Sequence, residues 1–134
     1  MKNKKAFTLF ELLVSISIIG ILTAIASISY GAAQKKARDS RRIEDLNGIQ
    51  KAAEQYYGAT SYSYPATLNS LSPTYILTVP VDPKGIGYTA YLYTPLAGGY
   101  CACAAVENLG TGNATKNDCT AFGAGNFYCV KNQQ

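Results

Sequence analysis

Residues 1–33 read MKNKKAFTLFELLVSISIIGILTAIASISYGAA, and this stretch decides the fold of the chain. Three lysines precede Phe7, and the 22 residues from Leu12 to Ala33 carry no charge. A bilayer-spanning helix needs about 20 apolar residues, so this run is long enough to cross a membrane. Glu11 is the one acid at its start, and a carboxylate within a bilayer costs about 2.5–3.5 kcal/mol on insertion scales. We therefore expect Glu11 to have a partner in or beside the membrane.

Two ordinary interpretations of this segment do not use Glu11. One is a plain single-pass membrane anchor. The other is a secretory signal peptide, with a lysine-rich start, an apolar centre and a small-residue cleavage box at Ala24-Ile25-Ala26. Cleavage after Ala26 would leave a secreted, disulfide-stabilised binding domain that begins at Ser27.

The residues from Lys4 to Val14, KKAFTLFELLV, resemble the class III leader of type IV pilins and type II secretion pseudopilins. In that family a prepilin peptidase cuts immediately before the Phe, and the new N-terminus is N-methylated. The resemblance implies a leader of residues 1–6, cleavage between Ala6 and Phe7, and N-methylation of Phe7. The family's acid at the fifth mature position corresponds to Glu11. Ala6 stands where the family normally has glycine.

The resemblance also implies how the protein works. Phe7 and Glu11 are the expected assembly residues, because the new amino group of one subunit pairs with the carboxylate of another. The expected partners are other copies of the chain in a helical filament, the prepilin peptidase, an inner-membrane assembly platform and, before assembly, the membrane itself. The protein would first be a single-pass cytoplasmic membrane protein with its head outside the cytoplasm. It would then join an extracellular or periplasmic filament, either a surface pilus or the pseudopilus of a type II secretion system.

The charge balance argues against nucleic-acid binding. The formal net charge of the 134-residue chain is +4. Without Lys2, Lys4 and Lys5 of the leader, nine cations face eight acids and the net charge falls to +1. A nucleic-acid-binding protein usually keeps a strong basic patch, so no nucleic-acid partner is expected.

The residue types also argue against an enzyme. The chain has no histidine, which removes the commonest general base. The sequence has no glycine-rich phosphate loop before a helix. Carboxylates beyond the membrane-proximal helix are few and widely spaced: Glu54, Asp82, Glu107 and Asp118. We therefore predict a structural protein with no catalytic residue and no cofactor.

All four cysteines lie in the last 34 residues: Cys101, Cys103, Cys119 and Cys129. An even number in a segment expected outside the cytoplasm favours two disulfides. Zinc is disfavoured by the Cys-Ala-Cys spacing and the lack of histidine, so no metal is predicted. Cys101 and Cys103 are two apart on one predicted strand, so each should bond to Cys119 or Cys129. The sequence does not choose between the two pairings.

The helix that starts near Phe7 should continue through residues 34–57, which are proline-free and rich in helix-forming residues. One apolar stripe recurs at spacings of three and four: Ile43, Leu46, Ile49, Ala53 and Tyr56 or Tyr57. A basic cluster follows the apolar run: Lys35, Lys36, Arg38, Arg41 and Arg42. We predict that the charged residues of this part of the helix lie mainly off the stripe: Arg38, Arg41, Arg42, Asp45 and Lys51. The basic cluster either anchors the helix in a solvated interface or pairs with Glu44, Asp45 or Glu54 of neighbouring subunits.

Residues 58–134 should form a β-rich head with a disulfide-bonded C-terminal region. Strands are predicted at Gly87–Pro95, at Tyr100–Glu107 and at Phe127–Lys131, with a hairpin loop at 96–99 and a loop at 108–126. Leu68, Leu71 and Ile76 are the expected packing residues of the segment after the helix. The predicted fold class is α+β, a long N-terminal helix packed on a small antiparallel sheet, as in pilins. The predicted divisions are 1–6, 7–33, 34–57 and 58–134.

Overall fold

The computed structural model describes residues 7–85 and 90–134. The predicted leader, including Ala6, and the start of the predicted strand at Gly87 lie outside the described residues. The chain divides into two compact units, one ending at Gln34 and one comprising Lys35–Gln134. The second is called the C-terminal unit below.

Helix α1 comprises Leu9–Ala59. The sequence placed this helix at residues 7–57, so each end lies two residues later than expected. Thr8 supplies the N-terminal cap described below. At the other end, the hydroxyl of Thr60 donates to the carbonyl of Tyr56 at 2.6 Å. Ser61 and Tyr62 follow with φ values of 49° and 61°, a left-handed conformation that cannot continue the helix.

The N-terminal part of α1 is apolar and exposed. The stretch that is long and apolar enough to span a membrane is not buried within the chain. Most large apolar side chains there are more than half exposed, for example Leu9 at 82% and Ile21 at 63%. Exposed apolar surface on this scale marks a segment that contacts lipid or protein. By length and composition, α1 can cross a membrane.

The described residues of the C-terminal unit form one five-stranded sheet. Its strands are β1 (Leu92–Leu96), β2 (Gly99–Ala105), β3 (Gly112–Ala114), β4 (Phe122–Gly125) and β5 (Phe127–Lys131). Their order in the sheet is β1-β2-β5-β3-β4, and every neighbouring pair is antiparallel. A long helix with an antiparallel sheet confirms the predicted α+β, pilin-like fold.

The core lies between α1 and the sheet. Leu46, Ile49 and Ala53 are fully buried, which confirms the predicted apolar stripe. They pack with residues of the sheet and its flanking loops: Leu71, Tyr91, Tyr100, Ala102, Ala104 and Val130. A short 3₁₀-helix at Leu68–Leu71 places Leu71 in this core, and Leu68 and Ile76 pack at its edge as predicted.

The loop predicted at 108–126 is wrong in part, because β3 and β4 lie within it. The sequences of these strands are GNA and FGAG. Glycine is depleted in strands, so residue preferences do not predict a strand at either position. The structure requires glycine here because neighbouring backbone is very close. A Cβ at Gly112 would clash with the carbonyl of Phe127, and one at Gly125 would clash with the carbonyl of Ala114.

The prediction of the first strand is wrong at residues 90 and 91, which precede β1. Strand β1 begins at Leu92 and pairs with β2 across a two-residue loop, Ala97-Gly98. Gly98 has φ 79°, which favours glycine.

Candidate functional site

The N-terminal candidate site is built on Thr8 and Glu11, three residues apart at the start of α1. The backbone N–H and the hydroxyl of Thr8 donate to Glu11 Oε2 at 2.9 and 2.8 Å. The N–H of Glu11 donates back to Thr8 Oγ1 at 3.3 Å. This reciprocal pattern is a capping box, which satisfies two N–H groups that the helix leaves free at its N-terminus. Within one chain, therefore, the carboxylate of Glu11 already has hydrogen-bond donors.

Phe7 precedes this cap and is 82% exposed. The expected ion pair between its amino group and Glu11 of another copy remains a prediction, as do the cleavage between Ala6 and Phe7 and the N-methylation. Ala6 lies outside the described residues. Thr8 was not predicted as a site residue, although the Thr-x-x-Glu spacing is a recognisable capping signal in the sequence.

Three hydroxyl side chains farther along the apolar part of α1 have hydrogen-bond acceptors within the helix. The hydroxyls of Ser15, Ser17 and Thr23 donate to carbonyls four residues earlier at 2.7, 2.8 and 2.9 Å. An unpaired hydroxyl in an apolar environment is costly, so these bonds make the segment more compatible with lipid or a protein core.

The C-terminal unit contains a group of ion pairs around Arg42, which we call the Arg42 cluster. Its members are Arg38, Asp39, Arg42, Asp82, Lys84 and Glu107. Arg42 is only 2% exposed, and its guanidinium donates to both carboxylate oxygens of Asp82 at 2.7 and 2.9 Å. It also donates to Asp39 at 2.8 Å and to Glu107 at 3.0 Å. A buried charge is tolerated only when it is paired and hydrogen-bonded in this way.

Asp39 connects the cluster to the end of the sheet. Its carboxylate accepts hydrogen bonds from the backbone N–H groups of Glu107 and Asn108 at 2.8 and 2.9 Å. The side-chain amide of Asn108 donates to it as well, at 2.9 Å. The cluster thus fixes two loops, one around Asp82 and one after β2, to the same face of α1.

The ion pairs shift the pKa values of the acids downward. Hydrogen bonds from Arg38, with help from Arg42, lower the pKa of Glu107 to about 2. The bond from Arg42 lowers the pKa of Asp82. Burial raises the pKa of Asp39, but the N–H donors of Glu107 and Asn108, together with Arg42, outweigh burial and lower it overall. The hydrogen bond to Asp82 raises the pKa of Arg42, so Arg42 and its three carboxylate partners are charged at neutral pH.

These contacts correct the interpretation of the basic cluster. Arg42 was placed off the packed face, but it lies on that face with Asp39, three residues earlier. Its partners belong to the same chain. Arg41 also pairs within the chain, with Asp45 at 3.6 Å. The acid Glu54 accepts from Tyr64 Oη at 3.0 Å and from the N–H of Gln133.

The cysteines form the second candidate site. Disulfides join Cys101 to Cys119 and Cys103 to Cys129, one of the two pairings that the sequence left open. None of the four remains a free thiol. Cys103 and Cys129 are directly opposite each other on β2 and β5, and this register brings them together.

Comparison with known sequences agrees with the N-terminal features. The sequence model of the prokaryotic N-terminal methylation motif matches residues 1–27. The resemblance predicted from the sequence is confirmed.

The named relatives are pilus and fimbrial proteins. The "Type IV wide pilus major component PilA4" of Thermus thermophilus is 45% identical over 56 residues, 42% of this chain and 43% of that protein. Two proteins named "Fimbrial protein" from Pseudomonas aeruginosa are each 39% identical over 54 residues, 40% of this chain and 35% of theirs. The chain therefore spans less than half the length of these relatives. No solved structure gives a significant match.

Proposed function

We propose that this protein is a structural subunit that polymerises through the N-terminal part of α1 into a type IV pilus-like filament. The observation that carries the proposal is a methylation-motif segment whose one acid, Glu11, begins an exposed apolar helix. A helix of this kind needs an apolar environment on all sides. Lipid supplies it before assembly, and the same segments of other subunits supply it afterwards.

The proposed assembly step is electrostatic. Cleavage between Ala6 and Phe7 creates an amino group on Phe7, and N-methylation keeps it positive. Two opposite charges attract strongly in a filament core, where little water screens them. Pairing this amine with Glu11 of an adjacent subunit would set the axial register and relieve the cost of burying both charges. Thr8 holds Glu11 at the helix start until the amine arrives.

The proposed partners and location follow from this step. A prepilin peptidase removes residues 1–6, and an inner-membrane assembly platform moves the subunit from the membrane into the filament. The C-terminal unit lies outside the cytoplasm, where its disulfides persist. The protein would act by assembly and not by catalysis, in keeping with relatives named as pilus and fimbrial components.

A second candidate in the same class is the major pseudopilin of a type II secretion system. It shares the leader, the acid and the fold, so the residues do not separate it from a pilus subunit. Electron microscopy of cells that express the protein at its native level separates the two. Long surface filaments that are labelled by an antibody to this protein would indicate a pilus. A pseudopilus would be indicated if no such filaments are seen and if deletion of the gene abolishes protein secretion.

The first prediction concerns the mature N-terminus. We expect mass spectrometry of protein purified from membranes to give a chain that begins with N-methylated Phe7. A chain beginning at Ser27 would contradict the proposal and favour a secreted domain released by signal peptidase. The matched variant is Ala6→Gly, which places the family's usual residue before the cut and should keep or improve processing. A precursor that stays equally uncut in both forms, despite a competent peptidase, would count against Phe7 as the mature start.

A further inference from the structure

The sulfur atoms of the four cysteines lie in one cluster. Cys101 and Cys103 project from the same face of β2, Cys129 is opposite on β5, and Cys119 comes from the loop between β3 and β4. All four Sγ atoms lie within 4.8 Å of one another. Cys103 Sγ is 3.4 Å from Cys101 Sγ and 3.9 Å from Cys119 Sγ, although it is bonded to neither.

We propose that this cluster is an intramolecular disulfide-exchange centre. A small thiol would convert the observed pairing into the other one, Cys103–Cys119 with Cys101–Cys129, and back again. Exchange proceeds by attack of a thiolate on a disulfide sulfur, so it requires a thiolate close to a neighbouring disulfide. Here the two disulfides are neighbours, and a sulfur released from one disulfide lies beside the other disulfide.

The sequence of steps conserves both disulfides. The thiolate of an external small thiol attacks Cys119 Sγ, forms a mixed disulfide and releases Cys101 as a thiolate. Cys101 then attacks Cys129 Sγ, which breaks the Cys103–Cys129 bond and releases the thiolate of Cys103. Cys103 finally attacks Cys119 Sγ and expels the external thiol as its thiolate. The thiol is regenerated, so nothing is oxidised or reduced overall.

The surroundings of the sulfurs favour this route. Cys101, Cys103 and Cys129 are at most 2% exposed, whereas Cys119 is partly exposed, so we expect an external thiol to attack at Cys119. The backbone of Cys129 is held in place by Asn113, whose side chain accepts from its N–H at 2.7 Å and donates to its carbonyl at 2.9 Å. The strand ladder can therefore persist while the bonds between sulfurs change. A non-native pair formed during oxidation would be corrected in the folded unit.

A three-cysteine variant tests the central step without added thiol. In Cys101→Ser, the Cys103–Cys129 bond remains and Cys119 becomes a free thiol. We expect Cys119 to attack Cys103, so that the full-length protein in detergent at alkaline pH contains both Cys103–Cys129 and Cys103–Cys119. Acid quenching, alkylation and chymotryptic digestion followed by mass spectrometry measure the two forms, since cleavage after Phe122, Phe127 or Tyr128 separates Cys119 from Cys129.

When either disulfide form of Cys101→Ser is isolated, the mixture of the two forms should return to the same ratio. The rate of this return should not depend on protein concentration, because the exchange is intramolecular. The double variant Cys101→Ser/Cys119→Ser is the matched control and should keep Cys103–Cys129 alone.

For the wild type, a catalytic amount of glutathione under native conditions should produce the second pairing, detected by fragmentation between Cys101 and Cys103. The proposal is overturned if Cys103–Cys119 never forms in Cys101→Ser, or if it forms only in denaturant. Neither result bears on filament assembly.

Discussion

The hydroxyl of Tyr100 lies inside the core of the C-terminal unit, and it has no hydrogen-bond partner among the described residues. Its ring is fully buried and stacks on Tyr93 at a centroid distance of 5.4 Å. A buried unsatisfied hydroxyl costs about 1–3 kcal/mol, whereas the ring itself stabilises the core. We therefore predict that Tyr100→Phe raises the free energy of unfolding by about 1 kcal/mol, measured by chemical denaturation of the full-length protein.

The matched control at the residue scale is Tyr93→Phe. The hydroxyl of Tyr93 donates to the carbonyl of Pro65 at 2.7 Å, so its removal should lower the free energy of unfolding by about 1 kcal/mol. The two variants lose the same atom from stacked rings and should change stability in opposite directions. Equal destabilisation by both would show that the hydroxyl of Tyr100 is satisfied in solution.

The Arg42 cluster operates at the scale of elements, because it joins α1 to the loop at Asp82 and to the end of β2. The folded pKa values of Asp39, Asp82 and Glu107 are all lowered. Lowered carboxylate pKa values stabilise the fold above the unfolded pKa, and this contribution is lost as the pH falls through the folded pKa. For Glu107 that window runs from 4.5 to about 2. We predict that the free energy of unfolding falls steeply over this range.

Asp82→Asn tests the source of this acid dependence. The variant loses the ionic contact with buried Arg42, so the free energy of unfolding at neutral pH should fall by about 2 kcal/mol. The decline of stability in acid should also become shallower. Glu44→Gln, on the exposed face of α1, is the control and should change neither quantity. An unchanged acid profile in Asp82→Asn would mean that other groups determine acid unfolding.

The elements differ in how far sequence could predict them. Periodic apolar residues placed Leu46, Ile49 and Ala53 on the packed face, because burial at spacings of three and four leaves a clear signal. Asp39 and Arg42 continue the same face, although Arg42 was predicted to lie off it because of its charge. Their burial depends on Asp82 and Glu107, 40 and 65 residues after Arg42, and no local pattern specifies such contacts. The strands β3 and β4 were missed because close backbone packing, and not β propensity, selects their residues.

The candidate sites show the same division. The Lys-rich start, the apolar run and Glu11 predicted the N-terminal segment, because each is a local feature of the sequence. The cysteine pairing required the register of β2 against β5, which places Cys103 opposite Cys129. Sequence could limit the pairings to two because neighbours on one strand share a face, but strand register is a property of the folded sheet.

At the scale of the whole molecule, assembly is proposed to depend on Glu11, whose hydrogen bonds within the described residues are made with Thr8 and Ser15. The substitution Glu11→Gln removes the charge and keeps the size of the side chain. We predict that this variant inserts into the membrane, is cleaved and folds normally. It should form no filaments, because the uncharged amide cannot form an ion pair with the amine of Phe7.

The yield of filaments from cells tests the central claim most directly, and shearing, sedimentation and electron microscopy measure it. The control of matched charge is Asp118→Asn, at an exposed acid of the C-terminal unit. We predict that Asp118→Asn assembles like the wild type, while Glu11→Gln remains as processed subunit in the membrane fraction. Filaments of Glu11→Gln at wild-type yield and length would contradict it.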